Sequence, residues 1–206
     1  MRNTLILSAF AAAMAGSFLA AAPASADPFD GFYVGAEAGY SSSSFESRIA
    51  PDVTLGGDGF NGGLVAGYGK LFDNIYLGGE LGGYLSNSSI SGSVAGASYE
   101  ASIRDQIDVS VMPGYLISPE TLVYARLGYA YGRMDGKVDT GAGAANAKWN
   151  SDGWVLGAGV WLALTDTVGL RADYSRTMFG KATIPGTGQD VSVTDNSVRV
   201  GLTYSF

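Results

Sequence analysis

From Val198 to Phe206 the chain alternates without a break. Val198, Val200, Leu202, Tyr204 and Phe206 are apolar or aromatic, and Arg199, Gly201, Thr203 and Ser205 between them are polar or small. An extended strand points successive side chains to opposite faces, so this period of two yields one apolar face and one polar face. A helix of the same residues would scatter its apolar side chains around its circumference. The strand reaches the last residue of the sequence, so no soluble domain is expected after it.

The same alternation recurs upstream, in residues 32–40, 60–71, 75–85, 103–111, 121–132, 153–164 and 168–175. In the first of these, Phe32, Val34, Ala36, Ala38 and Tyr40 oppose Tyr33, Gly35, Glu37 and Gly39. Leu77, Leu81 and Leu85 oppose Tyr76, Glu80 and Tyr84, and Ile107, Val109 and Val111 oppose Gln106, Asp108 and Ser110. Val123, Ala125, Leu127 and Tyr129 oppose Tyr124 and Arg126. Leu170, Ala172 and Tyr174 oppose Arg171, Asp173 and Ser175. With the terminal stretch, these make eight strands. The connections alternate in length. Asp73-Asn74, Ser118-Pro119-Glu120 and Thr165-Asp166-Thr167 are short and have turn composition, whereas 41–59, 86–101, 133–152 and 176–195 are long and rich in Ser, Gly, Asn, Asp and Thr. Ser41 to Ser44 falls in the first of these long loops and reads as low complexity.

Short turns on one side and long polar loops on the other suit an up-and-down β-barrel that spans a membrane with an even number of strands. Its polar face repeatedly carries charge: Glu37, Glu80, Arg104, Asp108, Arg126, Arg171, Asp173 and Arg199. A soluble sandwich would turn these charges to water and its apolar face inward; a membrane barrel would do the reverse. Alternation alone does not distinguish the two. Tyr40, Tyr68, Tyr129, Tyr174, Tyr204 and Phe206 lie toward strand ends, where a membrane barrel carries aromatic girdles.

The start of the chain favours export. Arg2 precedes an apolar run from Leu5 to Ala22, and Ala24-Ser25-Ala26 follows, as in a secretory leader with a small-residue cleavage site. The rival reading is a transmembrane helix, since the run is about long enough to span. Its alanine richness and the sequence around Ala24 and Ala26 favour a leader, residues 1–26, followed by one mature domain, residues 27–206. No later run is long and apolar enough for a spanning helix. The chain has no Cys and no His. It therefore cannot use the disulfides common in exported domains, and it lacks the commonest general base and metal ligand. No cofactor or metal is expected. The net charge of −7 becomes −8 without Arg2, which argues against nucleic acid as a partner.

Several short words carry a family resemblance: Gly31-Phe32-Tyr33-Val34-Gly35-Ala36, Tyr76-Leu77-Gly78-Gly79-Glu80-Leu81-Gly82, Tyr124-Ala125-Arg126-Leu127-Gly128-Tyr129, Gly157-Ala158-Gly159-Val160 and Leu170-Arg171-Ala172-Asp173-Tyr174. Together they resemble the eight-stranded transmembrane domain of the outer-membrane protein A family and the small outer-membrane surface antigens. The resemblance implies an all-β, eight-stranded antiparallel transmembrane barrel in the outer membrane of a Gram-negative bacterium, with both termini periplasmic. It implies contact with outer-membrane lipids and lipopolysaccharide, and with the barrel assembly machinery during biogenesis. Arg199, Gly201, Tyr204 and Phe206 match the C-terminal sorting signal of such barrels. In that family a carboxylate on the third strand exchanges partners between basic residues on the fifth and seventh, and Glu80, Arg126 and Arg171 occupy those positions. Glu37 and Trp161 depart from the family pattern, where a base and an acid are usual, so the wiring should differ. The peptidoglycan-binding domain that follows the barrel in outer-membrane protein A is not expected.

The leading functional reading is a non-enzymatic structural envelope protein and surface antigen. Its long loops would meet host or neighbouring cells, and its lumen would be at most a narrow, low-conductance pore. Two alternatives remain at this point. A lipid-modifying barrel enzyme resembles the chain in size, but such enzymes use a His with a Ser. A soluble lipocalin-like binding barrel also has eight strands, with its apolar face lining a ligand cavity.

Overall fold

The computed structural model describes residues 27–47, 54–94, 97–139, 144–180, 182–183 and 190–206, with side chains at 27–44, 56–87, 105–133, 150–180 and 193–206. Nine strands are present among them: β1 (Gly31–Ser47), β2 (Thr54–Phe72), β3 (Ile75–Val94), β4 (Ala97–Ser118), β5 (Thr121–Asp139), β6 (Ala144–Ala163), β7 (Val168–Phe179), β8 (Ala182–Thr183) and β9 (Asp190–Ser205). Each long strand pairs antiparallel with the next, and β9 pairs with both β7 and β1. The sheet thus closes on itself through eight strands, and every crossing strand is hydrogen-bonded on both sides. Closure of this kind is what an extended chain needs in lipid, where no water can satisfy backbone groups. The two-residue β8 pairs with β9 but takes no place in the ring.

The seam runs from Tyr33 opposite Ser205 to Ser47 opposite Val191, and the Phe206 amide donates to the Phe32 carbonyl at 2.9 Å. Short turns gather at one end. Asp73 between β2 and β3 has φ 54, a left-handed conformation that Asp tolerates better than most residues. Residues 27–30 and Phe206 share this end with the short turns, and the opposite end carries the hairpins.

Burial follows the period of two in the inverted sense. Leu127 is 52% exposed while its neighbour Arg126 is 2% exposed. Leu64, Leu77, Val109, Leu156, Val200 and Leu202 also face out, whereas Glu37, Glu80, Asp108, Arg171, Asp173 and Arg199 are buried. The lipocalin-like alternative is set aside by this arrangement, because its apolar face would have to line the interior. Aromatic pairs bracket the outer band. Phe32 and Tyr68 meet edge to face at 4.8 Å near the short-turn end, with Tyr40 and Phe60 at 5.4 Å and Tyr129 and Trp154 at 5.3 Å toward the hairpins. Tyr129 also donates its hydroxyl to Asp152, and Tyr174 donates to Asn196 at 3.0 Å.

The long loops read from sequence need correction. Residues 41–47 and 54–59 belong to β1 and β2, and most of 86–101 is a hairpin of β3 and β4 that closes at Val94 opposite Ala97. Likewise β5 and β6 stay paired from Thr121 opposite Leu162 to Asp139 opposite Ala144. A strand of about 9–11 residues crosses the bilayer, and these strands run to 22 residues. The excess is ladder that continues beyond the lipid. There the side chains no longer need to be apolar, so Ser, Gly and Asn populate strands that look like loops. Ser41 and Ser43 are buried in β1 rather than solvated in a loop.

Lumen glycines make room for the large residues across from them. A Cβ at Gly169 would stand 2.1 Å from Trp161 Nε1, at Gly159 2.5 Å from the Tyr124 ring, and at Gly67 2.4 Å from the Tyr33 ring. A narrow eight-stranded interior holds a Trp and several Tyr only where the facing strand offers no side chain.

Candidate functional site

The lumen is filled by side chains in successive layers. At the short-turn end Phe29, Tyr33, Tyr76, Met112, Leu122, Tyr124 and Trp161 form one buried cluster, flanked by Leu71, Leu116 and Ala163. Trp161 is the centre of its rings, with Tyr33 at 4.8 Å, Phe29 at 5.4 Å and Tyr76 at 6.4 Å, all edge to face.

Charges occupy the layer above. Arg171 Nη1 lies 2.5 Å from Glu80 Oε2, and Arg126 Nη2 lies 2.6 Å from Glu80 Oε1. One carboxylate on β3 therefore holds guanidinium groups from β5 and β7 together. Arg171 also approaches Glu37 at 3.4 Å and Asp173 at 3.4 Å, and Arg126 approaches Asp173 at 3.4 Å and Asp108 at 3.8 Å. Such pairing is what makes ionised groups tolerable away from water, since isolated ones would carry a large desolvation cost.

Two tyrosines stitch this layer to the aromatic one below. The Tyr33 hydroxyl donates to Glu80 Oε2 at 2.7 Å, and the Tyr124 hydroxyl donates to Asp173 Oδ1 at 2.6 Å while accepting from Arg171 Nε at 3.1 Å. The Arg171 guanidinium also lies 5.4 Å from the ring centres of Tyr124 and Trp161 and 5.9 Å from that of Tyr33. Within about 6 Å such a placement adds cation–π attraction.

Arg199 stands apart from the Glu80 cluster. Its guanidinium stacks 4.0 Å over the Tyr84 ring and donates to Asn61 Oδ1 and Ser175 Oγ, each at 3.1 Å. Asp108 is bound mainly by its own strand, accepting from Gln106 and Ser110 at 3.4 Å. The Arg104 side chain lies outside the described residues; its backbone sits where the β4–β5 register slips between Ile103 and Asp105. A further polar group nearer the hairpins was missed by the sequence reading. Asp195 accepts from Ser43 at 2.6 Å and from Ser197 at 2.9 Å, and all three are buried. Running the alternation of Arg199 and Ser197 back by two residues would have found Asp195.

Of the matched sorting residues, Gly201 faces the lumen beneath Glu37, and Tyr204 faces outward with its ring 5.2 Å from Phe206. Ala24 and Ala26 lie outside the described residues. Among the described residues no cluster of acidic, His or Cys side chains has metal-holding geometry.

Residues 9–206 match the outer membrane protein beta-barrel domain. The 31 kDa outer-membrane immunogenic protein of Brucella melitensis is 31% identical over 243 aligned residues, covering 99% of this chain and 100% of that protein. Outer membrane protein A of Salmonella typhi is 30% identical over 211 aligned residues, covering 100% of this chain and 56% of that protein. Among solved structures, Neisserial surface protein A superposes with a TM-score of 0.50 at 21% identity, covering 86% of this chain and 98% of its own. The outer membrane protease OmpT from Escherichia coli superposes with a TM-score of 0.51 at 9% identity, covering 86% and 97%. These two superpositions speak to the fold.

Proposed function

This chain belongs to the outer-membrane β-barrel family, and we propose that it serves the Gram-negative outer membrane without catalysis, as a structural barrel whose hairpins present antigenic surface. The observation that carries this reading is the filled lumen. Glu80 pairs with two arginines directly above a buried aromatic cluster, which supports an interior built as packing rather than as a reaction chamber or an open channel. The name of the Brucella melitensis relative, an immunogenic outer-membrane protein, supports surface display. On this proposal the hairpins lie outside the cell, and the short turns and both termini lie in the periplasm. In this reading residues 1–26 are the leader, removed after Ala26, and Tyr204 with Phe206 presents β9 to the assembly machinery. The hairpins are the surfaces that meet host or neighbouring cells.

An epitope inserted between Val94 and Ala97 tests display, with one between Pro119 and Glu120 as the internal control. Antibody should label the first on intact cells and the second only after the outer membrane is permeabilised. Labelling in the reverse order, or of neither until permeabilisation, would overturn the proposed orientation.

A further inference from the structure

The lumen plug has two parts of different origin. Tyr33, Tyr76, Met112, Leu122, Tyr124 and Trp161 all sit on barrel strands, and so do Glu80, Arg126 and Arg171. Phe29 alone in the aromatic cluster precedes β1. It is nonetheless 2% exposed, with its ring against Trp161. No strand ladder fixes it there. It is held by a compact turn and by the barrel rim. The Phe29 amide donates to Asp27 Oδ1 at 3.0 Å and the Asp30 amide to the Asp27 carbonyl at 3.1 Å. Ser205 Oγ donates to the Pro28 carbonyl at 2.8 Å, and Lys70 Nζ meets Asp30 Oδ2 at 2.7 Å.

We propose that residues 27–30 form a stopper that can be unseated from the short-turn mouth, with Phe29 as its head and Trp161 as its seat. Seated, it keeps water from the aromatic layer. Withdrawn, it leaves the ionic layer around Glu80 as the remaining barrier along the lumen. The tethers make seating depend on barrel closure. Ser205, which holds the Pro28 carbonyl, is paired with Tyr33 across the β1–β9 seam, and Lys70 is carried by β2 on the other side of β1. An open seam therefore has no complete socket for the stopper. The proposal concerns the lumen mouth alone and stands whether or not the hairpins are displayed to other cells.

Trp161 reports the state of the mouth. The chain has three Trp, so Trp149→Phe with Trp154→Phe leaves Trp161 as the single tryptophan, which is excited selectively at the red edge where Tyr does not absorb. Acrylamide quenching of the detergent-folded barrel is compared for this parent, for Phe29→Ala, and for Ser205→Ala combined with Lys70→Ala. The combined variant keeps every aromatic residue and removes only the rim tethers. Heat-modifiable gel mobility establishes folding of each. The expected result is weak quenching in the parent, a several-fold larger quenching constant for Phe29→Ala, and an intermediate one for the tether variant. If Phe29→Ala does not fold, the tether variant decides alone. Quenching equal to the parent in the folded variants would overturn the proposal.

Discussion

The Arg171 guanidinium meets the Glu80 carboxylate at 2.5 Å across the lumen, although the two residues are 91 positions apart in the chain. Arg126 occupies the other oxygen of the same carboxylate at 2.6 Å. Glu80 therefore holds both bases at once, with Tyr33 as an added donor to Oε2. Each base also has further carboxylates within reach, Glu37 and Asp173 for Arg171 and Asp173 and Asp108 for Arg126. One carboxylate thus ties β3 to β5 and β7 across the lumen.

The outward face is the first thing to test energetically. Leu127 lies opposite Val111 on β4 and Leu156 on β6, in the aliphatic band between the aromatic rows. Leu127→Arg should cost about 2–4 kcal/mol, as a cation does at the bilayer midplane. Gln106→Arg, placed in the lumen beside Asp108, should cost much less. Urea titrations of both variants in phospholipid vesicles check this, and equal or reversed costs would contradict the assigned faces.

A second expectation concerns the seats beneath the large lumen residues. A Cβ at Gly169 meets Trp161 Nε1 at 2.1 Å and Thr203 Oγ1 at 2.8 Å, and both neighbours are buried. Gly169→Ala should therefore destabilise the barrel by about 1–3 kcal/mol through overpacking. The contrast is Gly79→Ala, where nothing lies within 4 Å of the added carbon. Thermal unfolding in detergent should separate the two, and similar transition temperatures would argue against a tightly filled lumen.

The third prediction is about biogenesis. Tyr204 and Phe206 sit together on the outward side of the seam strand, where they are accessible before β9 joins β1. Deleting Phe206 should lower the outer-membrane level and raise periplasmic degradation, as read by fractionation and immunoblotting. Undiminished assembly of a chain lacking both aromatics would contradict a sorting role.

How much of this was legible in the sequence depends on where lipid acts. Within the membrane band each strand must present aliphatic side chains on one face. The division between Leu127 and Arg126, or between Leu170 and Arg171, is therefore written as a period of two. Above the band the constraint lapses. Ser43 and Asp195 continue the same parity, but their neighbours are Ser, Asn and Thr, so strand and loop have the same composition. Phe29 belongs to no periodic segment, and nothing local says that it folds inward. Arg199 reads as a lumen charge, and it is one. Yet its partners Asn61, Tyr84 and Ser175 are set by the stagger among four strands, which no single segment contains.

The most direct test of a lumen locked by paired charge is a double-mutant cycle on Glu80 and Arg171, measured as unfolding free energy in phospholipid vesicles. Removing one partner of a buried pair costs roughly 3–5 kcal/mol, because the other charge is left uncompensated. Glu80→Gln and Arg171→Gln should each approach that loss, and the double variant should be less destabilised than their sum by more than about 1 kcal/mol, the range seen for directly contacting residues. Strictly additive losses would contradict the account, since they would mean that these two side chains do not depend on each other.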